Sequence, residues 1–269
     1  MGTVKFWMVI TFLMNIVVAN AQEASLWNHK ECAVVLTYDD AIDADLDNVL
    51  PALDSLKLKG TFYIIGSSPV VTRRMEAWRK AAAHGHELGN HSLYHPCDGN
   101  LPGRGFVTPE TDLSKYTVAR AVREIKTNNT LLKAIDGKST RTFAYPCGDL
   151  KIGGEYFYTG LKDEFAGARG VNAGLQTANQ VNLDNIDCFM INGQSAEYMI
   201  ELVEKAKQSH TLLVFLFHGV GGGHNINVSL EAHRKLLHYL KKNEHAVWVA
   251  PMVEVAAYIK HDQHGGLTN

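Results

Sequence analysis

Ala33-Val-Val-Leu-Thr-Tyr38 is a run of apolar and β-branched residues that ends abruptly in Asp39-Asp40. A short run of this kind, bounded by charged residues, is typical of a buried strand. Adjacent strand residues point to opposite faces, so both aspartates can serve one site only if the strand ends there. Taken alone, the pair could equally be a solvated turn.

Four further apolar runs follow along the chain, at 60–65, 141–145, 212–217 and 246–250. The longer amphipathic stretches between them predict helices, which cover 49–59, 73–84, 113–135, 196–208 and 230–243. Strands that alternate with helices predict βα units and a parallel sheet with right-handed crossovers. We find no repeat or linker, and therefore predict one α/β domain over residues 22–269.

The amino-acid composition excludes several classes of partner. The chain has 269 residues, of which 46% are hydrophobic, and Lys+Arg number 26 against 28 Asp+Glu. The hydrophobic share argues against disorder, and the near-neutral charge argues against nucleic acid or an anionic membrane as a partner. A soluble protein with a small-molecule or carbohydrate partner remains.

The first 21 residues have the pattern of a secretory signal peptide. Lys5 precedes an apolar run over 6–18, and Ala19-Asn20-Ala21 offers a small-x-small cleavage site. The run is shorter than the roughly 20 residues that span a bilayer. We expect cleavage after Ala21, no membrane span in the mature chain, and export to the periplasm or the medium.

Export permits disulfides, and four cysteines allow three pairings. No C-x-x-C pair is present, which argues against a structural zinc knuckle. Cys97 and Cys147 each follow a proline in segments that we place at the rim of the site, and they are the preferred pair.

His91-Ser-Leu-Tyr-His95 places two imidazoles at i and i+4. On one face of a helical turn they could chelate a single ion, although such a pair is more often simply exposed. Pro96 disfavours α geometry at His95, so the turn is expected to end there.

Two more segments end where the carboxyl ends of parallel strands would lie. Phe143-Ala-Tyr-Pro-Cys-Gly148 runs from a strand into a Pro/Gly turn, and Val214-Phe-Leu-Phe-His218 ends in a single histidine. An isolated histidine after an apolar run is usually a core or capping residue. Because ligands bind beyond the carboxyl ends of parallel strands, the joint pattern predicts a metal site with an acid and a base.

These residues resemble the polysaccharide deacetylases with a NodB-homology domain (carbohydrate esterase family 4). Thr37-Tyr38-Asp39-Asp40 is similar to the family's T-F/Y-D-D motif, and 91–95 to its H-S/T-x-x-H motif. Segment 214–218 is similar to the hydrophobic-x-hydrophobic-x-His motif, and 143–148 looks like a variant of the third motif. The motifs occur in the family's order.

The resemblance implies a distorted (β/α) barrel and a divalent metal, most often Zn²⁺, with Co²⁺ or Mn²⁺ as alternatives. It implies Asp40, His91 and His95 as metal ligands, with Asp39 as general base and His218 as general acid. Such a site would remove acetyl groups from an acetylated oligo- or polysaccharide.

The sequence departs from the family in two motifs. Ala144 stands where the family often has an arginine that holds the base, and Arg141 or Arg169 is expected to replace that cation. Tyr145, Pro146 and Cys147 are candidates for contacts with the substrate or the oxyanion. The fourth motif is represented only by 184–188, in which Asp187 is a candidate to orient His218.

Three functions therefore stay open at this stage. The first is a secreted, metal-dependent N-acetyl deacetylase, and the second is an O-acetyl esterase acting on xylan or another polysaccharide. The third is a catalytically silent carbohydrate-binding protein with a structural metal, which Ala144 and the incomplete fourth motif favour. A phosphate site at Gly219–Gly223 is a weaker alternative, since the loop lacks the Lys-Ser/Thr ending of a P-loop. The oligomeric state is left open.

Overall fold

A curled sheet of eight parallel strands organises the protein, for which a computed structural model describes Gly2 and residues 27–265. Its strands are β1 Cys32–Asp39, β2 Thr61–Ile64, β3 Glu87–Asn90, β4 Phe143–Ala144, β7 Ala168–Arg169, β8 Phe189–Met190, β9 Leu212–Phe217 and β12 Val247–Val249. The order across the sheet is β7-β4-β3-β2-β1-β9-β8, and β12 also pairs with β1. Two small sheets pair β5 Lys151–Ile152 with β6 Glu155–Tyr156, and β10 Gly219–Val220 with β11 Asn227–Val228.

The first strand lies at the centre of this sheet, as its continuous apolar run predicts. It pairs with β9 on one side, and with β2 and β12 at its two ends on the other. Its even-numbered side chains, from Cys32 to Tyr38, pack in the larger hydrophobic core. Ala33 and Val35 pack on the opposite face in a second core, so Asp39 continues that inner face.

The helices are α1 Leu50–Ser55, α2 Pro69–Arg73, α3 Met75–Ala83, α4 Val118–Asp136, α5 Ala196–Ser209, α6 Leu230–Lys242 and α7 Met252–Gln263. The predictions for α3, α5 and α6 are confirmed. The long helix begins at 118 rather than 113, because the Thr117 side chain accepts a hydrogen bond from the Arg120 N–H and caps it there. The predicted helix over 49–59 is shorter, because α1 begins at Leu50 and ends at Ser55, before Lys57, whose φ of 57° is not helical.

The sheet curls far enough for its two edges to approach each other. The Ile186 N–H donates to the Ala168 carbonyl at 2.8 Å, and the Gly170 N–H donates to the Ile186 carbonyl at 2.9 Å. A few residues further on, β8 pairs with β9 at the other edge. The expected single-domain, distorted (β/α) barrel is therefore confirmed. None of the helices in the described ranges has the length and apolar character that crossing a membrane requires.

Candidate active site

Three parallel strands deliver ionisable residues to the same edge of the sheet. Asp39 is the last residue of β1, His91 follows β3, and His218 follows β9. Because these strands run in the same direction, their carboxyl ends lie side by side.

Asp40 lies between the two histidines of the 91–95 motif. Its Oδ1 is 3.6 Å from His91 Nε2 and 3.7 Å from His95 Nε2, and one ligand atom from each residue fits within 4.8 Å of the others. Ligands at 2.0–2.2 Å from a tetrahedral ion would be separated by about 3.4 Å. The three side chains could therefore hold one divalent ion with small adjustments.

The two histidines converge without the helical turn that the spacing predicts. Ser92 and His95 have φ values of 62° and 53°, so the segment is an irregular loop, and the prediction of a turn is wrong. Asn90 accepts the Ser92 N–H at 2.7 Å, and Ser92 Oγ accepts the His95 N–H at 2.9 Å. Asp40 also has a positive φ, of 82°. Backbone strain of this kind concentrates at functional sites.

Both imidazoles are in the protonation state that metal binding would require. Burial lowers the pKa of His91 to about 3 and also lowers the pKa of His95, so both rings are neutral at neutral pH. His91 Nδ1 donates to the Ala144 carbonyl at 2.8 Å, which directs Nε2 toward Asp40. Neutral imidazoles are the form that ligates metals.

In the described part of the chain, one oxygen of each aspartate carboxylate, Oδ1, lacks a partner that a cation could supply. Burial, and then the charge of Asp39, raise the pKa of Asp40. Asp40 Oδ1 is buried without a hydrogen-bond partner among the described residues, and so is Asp39 Oδ1. A buried unpaired carboxylate oxygen is costly, so a divalent ion fits this donor set.

Arg169 supplies the cation that the third motif lacks. From the end of β7, its Nη2 donates to Asp39 Oδ2 at 2.5 Å, and both groups are buried. Burial alone would raise the pKa of Asp39, but Arg169, followed by His91, holds it below its usual value. Asp39 is therefore kept ionised.

The alternative prediction, that Arg141 holds Asp39, is wrong. It precedes β4 and therefore lies at the amino end of the sheet. There it pairs with Asp136 at 3.2 Å and donates to the Leu88 carbonyl at 2.6 Å.

His218 faces Asp40 from the other side. Its Nε2 is 4.0 Å from Asp40 Oδ2, and burial lowers its pKa. Its Nδ1 is buried without a hydrogen-bond partner in the described chain. The prediction that Asp187 orients His218 is therefore wrong, and the Asp187 carboxylate instead lies against Gly174.

His224 joins the site although nothing in its own sequence context singled it out. Its Nε2 is 3.7 Å from Asp40 Oδ2, and its ring stacks on that of His218 with centroids 4.7 Å apart. Nδ1 accepts the Ile226 N–H at 3.0 Å. The only available signal was the glycine run at 219–223, whose freedom lets the chain turn back toward His218.

The turn after β4 contains Tyr145, Pro146 and Cys147, which the sequence suggested as contacts for the substrate or the oxyanion. The structure argues against an oxyanion role for two of them. The Tyr145 N–H donates to the Arg169 carbonyl at 3.1 Å, so Tyr145 is not available as an oxyanion donor. Its side chain packs on Phe143, with ring centroids 5.1 Å apart, and Pro146 has no N–H. The oxyanion role of Cys147 stays a prediction.

The preferred disulfide is confirmed. Cys97 and Cys147 are bonded, with Cα atoms 5.8 Å apart, and Cys32 and Cys188 are buried free thiols. The bond ties the segment after His95 to the turn after β4. Although His95 lies close to both sulfurs, a disulfide offers no thiolate to a metal.

Two curated relatives match parts of this chain. An uncharacterized protein of Bacillus subtilis (strain 168), YlxY, is 29% identical over 106 residues, which are 39% of this chain and 28% of that protein. A gellan lyase from a Bacillus species is 26% identical over 194 residues, which are 66% of this chain and 7% of that protein. The chain thus spans less than a third of the length of these relatives.

Solved structures share the fold at low sequence identity. The peptidoglycan deacetylase PdaC from Bacillus subtilis is 16% identical, with a TM-score of 0.52 over 87% of this chain and 94% of that chain. The allantoinase Puue is 11% identical, with a TM-score of 0.61 over 95% of this chain and 99% of that chain. At these identities the likeness describes the fold alone.

A family model supplies the remaining evidence. Residues 28–153 match the model described as polysaccharide deacetylase, and this range contains the Asp39-Asp40 pair, both histidines of the second motif and the third motif. The match covers somewhat less than half of the chain, so residues 28–153 are similar to the polysaccharide deacetylase family, and the barrel shares its fold with solved polysaccharide deacetylases.

Proposed function

We propose that this protein is an exported, metal-dependent hydrolase that removes N-acetyl groups from a carbohydrate. The observation that carries the proposal is the arrangement around Asp40. His91 and His95 face its Oδ1, while His218 faces its Oδ2, and Arg169 holds the adjacent Asp39. The residues that we propose as ligands, base and acid therefore lie around the Asp40 carboxylate.

Asp40, His91 and His95 would hold the metal. One carboxylate and two imidazoles suit Zn²⁺ best, with Co²⁺ or Mn²⁺ as alternatives. When bound, such an ion polarises the acetyl carbonyl and lowers the pKa of a nearby water.

The protein's own groups would move the protons. Asp39, kept ionised by Arg169, accepts a proton from the water that attacks the acetyl carbon. His218 lies on the opposite side of Asp40 and would donate a proton to the departing nitrogen in its protonated form, which the charges of Asp39 and Asp40 favour against the effect of burial. An ester would use the same groups, so an O-acetyl esterase remains the alternative within this class.

The catalytically silent alternative loses one of its two supports. It rested on the incomplete fourth motif at 184–188 and on Ala144, which removes the family's usual cation from the base. Because Arg169 reaches Asp39 from another strand, the base has its partner, and we favour an active enzyme.

Export is part of the proposal. The signal peptide over residues 1–21 lies outside the described residues, apart from Gly2, and the catalytic domain would cover 22–269. The Cys97–Cys147 disulfide supports an oxidising compartment, periplasmic or extracellular.

Removing a ligand tests the mechanism. His91→Ala is expected to lose bound zinc and to lower acetate release from N-acetylglucosamine oligomers more than about a hundredfold, because it deletes one of three ligands. Metal content by elemental analysis and acetate release are measured, with and without chelator, also on acetylated xylan.

His238→Ala removes an exposed histidine on α6 and is the matched control. Undiminished acetate release by metal-free His91→Ala would overturn the mechanism. Faster release from xylan than from the oligomers by the wild type would favour the esterase.

A further inference from the structure

Two aromatic side chains stand exposed beside the proposed metal site. Phe106, which lies outside the family motifs described above, is 64% exposed, and Tyr94, at a variable position of the second motif, is 47% exposed. Large aromatic groups left in water beside a cleft are characteristic of binding surfaces.

Both side chains line the same cavity as the site. The cavity has a volume of about 350 Å³, and Asp40, His95 and His224 form one part of its wall. Phe106, Tyr94 and Ile65 form another part. The volume lies at the lower end of the range for small-molecule sites, which fits a short stretch of glycan rather than a large partner.

The segment that carries Phe106 is anchored to the site. Cys97 is bonded to Cys147, and the Leu113 N–H donates to the Cys97 carbonyl at 2.8 Å, so the segment is closed at its base. Arg104, two residues before Phe106, pairs with Asp149 at 3.0 Å and donates to the Cys147 carbonyl at 3.2 Å. These contacts fix the base of the segment and Arg104 near Phe106, which reduces the entropy that ordering the segment on a ligand would cost.

The wall that includes Phe106 carries no charge. Besides Phe106, Tyr94 and Ile65, it contains Val107 and Thr111, and charged groups enter the cavity only at the metal site. This surface matches the C–H face of an uncharged sugar ring rather than an acidic or basic polymer.

We infer that Phe106 and Tyr94 form a sugar-binding wall, which stacks on a ring next to the one that bears the acetyl group. The ligand class is an uncharged oligosaccharide of at least two rings. This inference rests on the proposed function and assigns the contact with the neighbouring ring to Phe106 and Tyr94.

Phe106→Ala tests the wall. We expect its KM for a tetramer of N-acetylglucosamine to rise about tenfold with kcat nearly unchanged, since a stacking surface is lost. Its hydrolysis of 4-nitrophenyl acetate, which has no second ring, should equal that of the wild type. Phe106→Trp should restore KM, and Tyr198→Ala, an exposed aromatic on α5, is the control.

Binding of the tetramer is measured by calorimetry in parallel. If the KM and Kd of Phe106→Ala equalled those of the wild type, the inference of a sugar-binding wall would be wrong. If the wild type released no acetate, the proposed function would fail. A Kd weakened about tenfold by Phe106→Ala would then still support the wall.

Discussion

At the scale of single residues, Arg169 and Asp39 show how a lost motif residue can be replaced. The two side chains are 130 positions apart in sequence, and they form a buried pair because β7 ends at the same edge as β1. A buried charge without its partner is strongly destabilising. The pair that keeps the proposed base ionised is therefore also expected to stabilise the barrel.

Arg169→Ala is expected to lower the free energy of unfolding by about 3–5 kcal/mol and to lower acetate release, because Asp39 is left buried and unpaired. Arg169→Ala combined with Asp39→Asn should recover much of the stability and none of the activity. Denaturant unfolding of both variants gives the comparison. A double variant no more stable than the single one would contradict the pairing.

Residues within motifs could be predicted from the sequence, whereas their partners could not. Asp39 and His218 stand at the ends of predicted apolar runs, so strand direction alone brings them together, whereas His91 was identified from its spacing to His95. The choice between Arg141 and Arg169 depended on which end of a two-residue strand each occupies. Such short strands carry no periodic signal.

At the scale of elements, the weak signal of short strands also explains why β3 was not predicted. The third strand, β3, reads Glu-Leu-Gly-Asn and lacks the β-branched residues that mark a strand, although all four residues are buried. Its Glu87 compensates through tertiary contacts: its carboxylate accepts the Thr142 N–H at 2.7 Å and the Val253 N–H at 2.8 Å. The contact with Val253 also holds the start of α7, which was not predicted either.

The loop between β10 and β11 is the element that completes the site. Gly221, Gly222 and Gly223 all have positive φ, and a side chain at Gly219 would lie 2.5 Å from the Gly222 carbonyl oxygen. Glycines at these positions allow the chain to fold back and stack His224 on His218. Since His218 Nδ1 has no hydrogen-bond partner in the described residues, we expect this stack to help fix the orientation of the ring.

His224→Ala is expected to lower kcat about tenfold with a smaller effect on KM, because the ring of His218 loses that support. His224→Phe keeps an aromatic ring in the stack and should restore most of kcat. Steady-state acetate release gives both constants. Equal kcat in the wild type and His224→Ala would show that the stack does not position His218.

At the scale of the whole molecule, the barrel buries polar groups on both faces of its central strand. Asp39 is the last residue of the inner face, while Tyr38 on the outer face is hydrogen-bonded to His233 Nε2 of α6 at 2.8 Å. Apolar patterning predicted that α6 packs on the sheet, but it gave no reason to expect a histidine among its buried residues. This burial links folding to pH.

Burial lowers the pKa of His233 from 6.5 to about 4. Between these values the unfolded chain binds a proton that the folded protein excludes, so stability falls as the pH falls from about 6.5 to about 4. The loss attributable to His233 is on the order of 3 kcal/mol. His233→Gln, which can still hydrogen-bond to Tyr38, should lack this part of the pH dependence. Urea unfolding of both proteins from pH 4 to pH 7.5 measures it, and parallel stability curves would show that His233 does not couple folding to pH.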